Sequence, residues 1–158
     1  MTGEPAGNNS GDVTFSNNMI AGDQQGIDMS ALVQNRSTTP AVVALATAGA
    51  SARHSDVAIL KVLLVQWKEN PDSQDGRGQR SGMKGMVDQA TIGRLNSLHG
   101  SEFDTLWLQS MIGLDNGEIE IANTEVGNGK NVDAIDLAKQ IVASRQAEIG
   151  QMNQILGG

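Results

Sequence analysis

Apolar residues recur along most of this chain at spacings of three and four, the period of an amphipathic α-helix. Four long segments carry the pattern, and a shorter one lies between the second and the third. Clusters of Pro, Gly and charged residues, such as NPDSQDGRGQRSG after the second segment, interrupt it. The sequence therefore predicts an all-α fold with long helices at about 12–35, 39–69, 101–128 and 131–157, and a short helix at about 86–98.

Residues at the ends of these segments have side chains that start and stop helices. Thr39 and Pro40 suit the N-cap and the first turn of the second helix. Ser101 is expected to cap the third helix, with Asp104 three residues later as a variant of the capping box. Gly157 is expected to end the fourth helix.

The two halves of the chain repeat one another. A shift of 92 residues superposes matching residues in both helices of each half: Asp12 on Asp104, Met19 on Met111, Asp23 on Asp115, Leu45 on Leu137 and Arg53 on Arg145. We interpret the chain as a tandem duplication of a helical hairpin, in which two hairpins bury their apolar stripes as a four-helix bundle. The expected organisation is a flexible lead-in at 1–11 and one domain at 12–158. That domain comprises hairpin one at 12–69, a linker and short helix at 70–100, and hairpin two at 101–156.

Composition and charge exclude several classes of function. The chain has 158 residues, a net charge of −7 and no basic run, which argues against binding to nucleic acid or to anionic membrane surfaces. It has no cysteine, which excludes disulfides, thiolate metal sites and thiol catalysis. No apolar run approaches the roughly 20 residues that span a bilayer, and the first residues do not resemble a signal peptide. We therefore expect no direct insertion into a membrane.

An acid lies on the inward stripe of the first and third helices. Asp23 stands between apolar residues of the stripe in the first repeat, and Asp115 has the same position in the second. The stripes of the second and fourth helices contain Arg53 and Arg145. An unpaired carboxylate inside a protein destabilises the fold by several kcal/mol, so it must be paired, protonated or bound to a metal.

Two internal Asp–Arg ion pairs are the simplest interpretation of these four residues. A guanidinium group offers parallel donors to a carboxylate and stays charged when buried. The spacing leaves open which acid pairs with which arginine. The alternative is a metal site built from the same carboxylates, to which Asp56 and Glu148 could contribute.

Methionines and histidines provide weaker candidates for a metal site. Met83 and Met86 in SGMKGM could offer thioether ligands to Cu(I). A simpler role for Met86 is to fill the end of the bundle as an adaptable hydrophobic residue. His54 and His99 have no second histidine at helical spacing, so a site based on histidine is not expected.

Acidic residues other than Asp23 and Asp115 do not indicate a catalytic site. Di-iron bundles use Glu-x-x-His pairs, and this chain has none. Glu118 and Glu120 are expected to point to different faces of the third helix without converging. No nucleophile stands in an evident acid–base arrangement, so we expect a protein that is not an enzyme.

Several motifs together resemble a known family. MIAGDQQGIDM in the first repeat and MIGLDNGEIEIA in the second share the framework Met-Ile-x-His-His-x-x-Ala-Ile-x-Met. LAKQIVASRQAEIGQM and GMVDQATIGRLNSLHGSEFDTLWLQSMI match further parts of the same pattern. On these motifs the sequence resembles the bacterial domain-of-unknown-function family 305, over about residues 12–156. The resemblance implies a ferritin-like helical bundle among proteins that are usually exported and linked to copper.

The sequence departs from the family pattern at the paired histidines. The His-His positions are Gly22-Asp23 in the first motif and Leu114-Asp115 in the second, so all four histidines are replaced. Arg53 and Arg145 occupy a position where the family usually has glutamine. Copper prefers imidazole and sulfur ligands over isolated carboxylates, and a guanidinium group would repel it. We interpret these changes as the replacement of a metal site by internal ion pairs.

The functional hypothesis is an extracytoplasmic accessory or binding domain, in the cell envelope or secreted, without catalysis and without a preferred cofactor. We expect it to act through another cell-envelope protein and not through nucleic acid. The alternative is a copper-binding or copper-storage protein with carboxylate and thioether ligands, namely Asp23, Asp115, Glu148 and Met86.

Overall fold

The computed structural model describes residues 7–69 and 86–157. Within them the chain forms helices and no strand: α1 (Ser10–Leu32), α2 (Pro40–Gln66), α3 (Gln89–Ser97), α4 (Gly100–Asn128) and α5 (Val132–Gly157). The predicted all-α class is therefore confirmed. Most of the expected lead-in and linker, with Met83, lies outside the described residues. No helix in the described part of the chain is both long and apolar enough to cross a membrane.

The starts of α1 and α4 differ from the prediction, and α1 and α2 end three residues earlier than predicted, at Leu32 and Gln66. α1 begins before Asp12 because Asn9 and Asp12 form a capping box, in which the Asp12 backbone N–H donates to Asn9 Oδ1 at 3.0 Å. The expected capping of the third long helix by Ser101 is wrong, since His99 occupies the N-cap position of α4 without a side-chain hydrogen bond. The Asp104 carboxylate instead accepts a hydrogen bond of 2.5 Å from Thr39 Oγ1 at the start of α2.

Two antiparallel hairpins, α1–α2 and α4–α5, pack against each other mainly through α1 and α4. Hydrogen bonds tie both ends of this central pair. At one end Asn9 Nδ2 donates to the Asn128 carbonyl at 3.0 Å, and at the other Trp107 Nε1 donates to the Met29 carbonyl at 2.9 Å. The start of α1 thus lies beside the end of α4. α2 and α5 flank the central pair and approach each other less closely.

The apolar core consists of two clusters at opposite ends of the bundle. Along each long helix, a buried charged residue separates the part that enters one cluster from the part that enters the other. A layer of buried charge therefore divides the core. The first cluster includes Phe15, Met19, Val57, Leu60, Leu64, Ala122, Leu137 and Ile141. The second includes Met29, Val42, Leu95 of α3, Phe103, Trp107, Met111 and Met152.

Candidate functional site

Charged side chains from all four long helices meet between the two apolar clusters, and we call this group the polar layer. α2, α4 and α5 each contribute two members that stand three residues apart, which places them on the same face of their helix. All are fully buried except Asp56 and Glu148, whose side chains are each 15% exposed. The polar layer consists of Asp23 of α1, Arg53 and Asp56 of α2, Asp115 and Glu118 of α4, and Arg145 and Glu148 of α5.

Each arginine pairs with acids of the other hairpin. Arg53 donates through Nη2 to Asp115 Oδ1 in a short hydrogen bond, and its Nη1 lies 3.5 Å from Glu148 Oε1. Arg53 Nε also lies 3.7 Å from Asp23 Oδ1 in its own hairpin. The pairing that sequence analysis left open is therefore closest between hairpins, with a longer contact within the first hairpin.

The second repeat mirrors this arrangement. Arg145 Nη2 lies 2.9 Å from Asp23 Oδ1 and 3.0 Å from Asp56 Oδ2. The shift of 92 residues that aligns Asp23 with Asp115 also aligns Asp56 with Glu148, so the two arginines have equivalent partners. All four residues singled out from the sequence, the two Asp and the two Arg, lie in one connected group.

Glu118 joins the two halves of the polar layer. Its Oε1 accepts a hydrogen bond of 2.6 Å from Arg145 Nε and lies 3.4 Å from Arg53 Nη2. The expectation that Glu118 would not converge with Asp115 is wrong, because three residues along a helix return to the same face. Glu120, five residues after Asp115, is exposed and lies outside the polar layer.

Gly26 occupies the position in the first repeat that corresponds to Glu118 in the second. A Cβ atom at Gly26 would overlap Nε, Cδ and Cζ of Arg53. A Cβ atom at Gly49 would lie 3.1 Å from Glu148 Oε2 and 3.3 Å from Arg53 Nη1. These glycines give the buried Arg53 side chain its space, and comparison of the repeats at Gly26 was the sequence signal that could have identified Glu118.

Protons balance the excess of acids in the polar layer. Burial, with a hydrogen bond from its side chain to Glu148, raises the pKa of Asp115 to about 9. Burial and the charge of Glu118 likewise raise the pKa of Asp23 well above its usual value. The second oxygens of Asp23, Asp115 and Glu118 accept no hydrogen bond from an N–H or hydroxyl group of the described residues. This fits a carboxyl proton shared between Asp23 and Glu118 and another between Asp115 and Glu148.

Glu118 and the arginines carry the permanent charges. Burial would raise the pKa of Glu118, but Arg53 and Arg145 outweigh it and hold that pKa below the usual value. Burial opposes the charge of both guanidinium groups, yet Glu118 and the neighbouring acids raise the pKa of each above its ordinary value. Burial raises the pKa of Asp56, against the attraction of Arg145.

The side chains of the alternative metal site are engaged elsewhere. Asp23, Asp115 and Glu148 face the arginines, and Met86 packs against the second apolar cluster. Within residues 7–69 and 86–157, no three His, Cys, Asp or Glu side chains are grouped to hold a metal ion. His54 and His99 are exposed.

The family model for the domain of unknown function DUF305 matches residues 12–156. The chain belongs to the DUF305 family. No protein with a curated description matches it. The match covers both hairpins and the segment between them, so the family pattern extends over the whole bundle.

Solved structures share this fold. A DUF305 candidate secreted protein from Streptomyces coelicolor is 26% identical, with a TM-score of 0.84 over 94% of this chain and 93% of that one. A DUF305 fragment from Deinococcus radiodurans is 24% identical, with a TM-score of 0.85 over 97% and 98%. CopM in its Cu(I)-bound form is 21% identical, with a TM-score of 0.73 over 90% and 93%.

Replacing Gly26 with alanine is expected to disrupt the polar layer. The new methyl group would take the space of the Arg53 side chain, which is held by Asp115 and Glu148. We expect Gly26→Ala to lower the free energy of unfolding by about 3 kcal/mol or more, measured by urea denaturation. Gly150→Ala is the control, because a Cβ atom there meets nothing within 4 Å, and it should raise stability by roughly 0.5–1 kcal/mol. Equal effects of the two changes would contradict the tight fit of Arg53.

The raised pKa of Asp115 predicts that stability falls as pH increases. The folded protein holds a proton up to a pKa of about 9, whereas the unfolded chain releases it near the ordinary aspartate pKa of 3.8. This contribution to stability is fully present below the unfolded pKa and is lost as pH rises through the folded one, at up to about 1.4 kcal/mol per pH unit. Asp115→Asn keeps a neutral oxygen as the acceptor for Arg53. In this variant the free energy of unfolding, measured by urea denaturation, should decline less between about pH 5 and pH 9. Identical slopes would mean that Asp115 is ionised in the folded protein.

Proposed function

We propose that this chain is an extracytoplasmic accessory domain without catalytic activity, in which the polar layer takes the place of the family's metal site. The domain acts by binding another protein of the cell envelope. Membership of DUF305 and the likeness to a candidate secreted protein support the location. The fold shared with copper-bound CopM supports a copper-linked origin.

The position of the two guanidinium groups is the observation that carries this proposal. Arg53 and Arg145 lie fully buried among the acids of the polar layer. A cation placed among the same carboxylates would have to displace hydrogen-bonded guanidinium groups or shared protons. Copper would gain only oxygen ligands there, which it prefers less than imidazole or sulfur.

A copper-binding role with ligands from Asp23, Asp115, Glu148 and Met86 is the second candidate. Three further methionines favour it, because Met29, Met111 and Met152 lie in the apolar cluster against which Met86 packs, and thioethers suit Cu(I). These three side chains are almost completely buried. Cu(I) binding would therefore require the second cluster to open.

The melting temperature of the metal-stripped protein distinguishes the two candidates. We expect no shift with excess Cu(II), or with Cu(I) under reducing conditions. A site filled at 100 times its dissociation constant would add about 2.7 kcal/mol and raise the melting temperature by several degrees. A rise that Asp115→Asn abolishes would contradict the proposal and support the copper-binding role.

A gain-of-function variant provides the positive control for this measurement. Asp115→His combined with Arg53→Gln restores the family residues at one pair of the polar layer. We expect this variant to acquire a rise in melting temperature with Cu(II), and Arg53→Gln alone to acquire none. Circular dichroism without metal shows whether each variant is folded. A folded double variant without a copper response would contradict the idea that these replacements removed the metal site.

An exposed apolar ridge on α2 supports binding to a protein. Ile59, Val62 and Val65 are 46%, 55% and 62% exposed on successive turns. The corresponding positions of α5, found by the shift of 92 residues, are Gln151, Gln154 and Gly157. Because the fold does not require apolar residues there, the ridge fits a surface that another protein covers.

Photo-crosslinking from the ridge tests this part of the proposal. A photoreactive amino acid is placed at Val62 in cells that export the protein. It should form a covalent product with one envelope protein other than this chain. The same group at the polar Gln154 is the matched control and should form none. A product with a second copy of this chain, or equal products from both positions, would contradict a specific envelope partner.

A further inference from the structure

The outer face of α2 carries an uninterrupted line of small and apolar side chains. Its positions alternate at spacings of three and four, which is the heptad spacing of the seam in a coiled coil. All of them are exposed, and we call this line the heptad stripe. The heptad stripe consists of Ala41, Ala44, Ala48, Ser51, Ser55, Ala58, Val62 and Val65.

The bundle fold does not require the heptad stripe. α2 packs into the core with a different set of side chains, among them Val42, Leu60 and Leu64. α5 has the same place in the second hairpin and serves as the comparison. Its residues at the corresponding positions are Asp133, Asp136, Gln140, Ala143, Ala147, Gly150, Gln154 and Gly157. The outer line of α5 thus contains acids and amides, whereas that of α2 contains neither, which fits a surface that another molecule covers.

A groove beside the first half of the heptad stripe extends this surface towards α5. The groove encloses about 400 Å³, and its walls include Ala44 and Ala48 of α2 and Gln151 and Ile155 of α5. It exists because α2 and α5 approach each other less closely than the two helices of either hairpin. A rod-shaped element that lies along α2 could therefore also contact α5.

The small side chains of the heptad stripe favour a helix as that element. Alanine and serine along the line of contact let two helix axes approach to about 8 Å, the lower end of the usual range. The heptad spacing keeps such a contact continuous from Ala41 to Val65, a length of roughly 36 Å. A lipid surface fits less well, since helices that lie on membranes present large apolar side chains.

The charged side chains on the outer face of α2 are basic. His54 and Lys61 stand seven residues apart on one flank of the heptad stripe. Asp56 is the only acid of α2, and its carboxylate lies 3.0 Å from Arg145 Nη2 in the polar layer. The whole chain has a net charge of −7. The flank therefore suits an acidic partner, whereas a second copy of this chain would bring the same basic flank.

We propose that α2 binds one helix of the partner protein, packed lengthwise along the heptad stripe as a two-stranded coiled coil. The partner helix presents larger apolar side chains, such as leucine, at its own heptad positions, where they fill the space beside the alanines. Acidic side chains of the partner helix face His54 and Lys61. This inference rests on the proposed function, which assigns the apolar ridge of α2 to an envelope protein, and it adds the shape and charge of that partner.

Photo-crosslinking at several positions of α2 tests this arrangement. The photoreactive amino acid is placed in turn at Ala44, Ala48, Ser55 and Val62 of the full chain, in cells that export it. Each position should give a product with the same envelope protein. Val43 is the matched control, because it is 40% exposed on the same helix but lies off the heptad stripe, and it should give none.

The crosslinked sites in the partner provide the decisive readout. Ala44 and Val62 are eighteen residues apart, so mass spectrometry of the digested products should place their partner sites about eighteen residues apart in one segment. Products from Val62 alone, or partner sites in unrelated segments, would retain an envelope partner but overturn the lengthwise helix. A product with a second copy of this chain would also overturn it. No product from any position would contradict the proposed function as well.

A charge reversal tests the acidic flank of the partner helix. Lys61→Glu should lower the yield of product from Ala44 and from Val62 by about threefold or more, because acids of the partner would then meet a like charge. Lys139→Glu, at an exposed lysine of α5, is the control and should leave both yields unchanged. Circular dichroism shows whether each variant is folded. Equal yields from wild type and Lys61→Glu would overturn the assignment of an acidic partner.

Discussion

Two guanidinium groups inside an aliphatic bundle constrain the rest of this structure. Arg53 and Arg145 stay charged when buried, so acids from the surrounding helices must meet them at the same height. The apolar clusters on either side impose a weaker restriction, because aliphatic side chains tolerate repacking. Sliding one helix by a turn, about 5.4 Å, would leave buried charges without partners. The polar layer thus sets the register of all four long helices.

Shared protons let the interior contain more acids than bases. In the polar layer Asp23 and Asp115 are held neutral beside the ionised Glu118 and beside Glu148. The same arrangement occurs at the end of the bundle, where Glu125 faces the ionised Asp12. The difference lies in the cations, since arginines accompany the first group and no basic side chain pairs with the second in the described residues. The polar layer is thus balanced by arginines and protons together, and the pair at the end of the bundle by a proton.

The helices, the duplication and the four charged residues of the inward stripes could be predicted because helical periodicity determines which side chains share a face. The pairing between hairpins could not, since periodicity says nothing about which neighbouring helix supplies a partner. The convergence of Glu118 with Asp115 was not predicted, although the two residues stand three apart on one helix. The sequence also shows that the corresponding residue of the first repeat is Gly26. Asp12 escaped notice because its partners are backbone N–H groups of a distant turn. Hydrogen bonds to backbone N–H groups of a distant turn cannot be predicted from the spacing of side chains along the sequence.

The contrast between Gly26 and Glu118 shows what covalent joining of the hairpins makes possible. Glu118 contacts both arginines, so it lies close to the pseudo-two-fold axis that relates the repeats. In a symmetric dimer of identical hairpins, any residue near that axis occurs twice. Two glutamates would then repel each other there, and neither copy would have the glycine that admits the arginine. Fusion into one polypeptide lets the copies diverge, so that one provides space and the other provides charge.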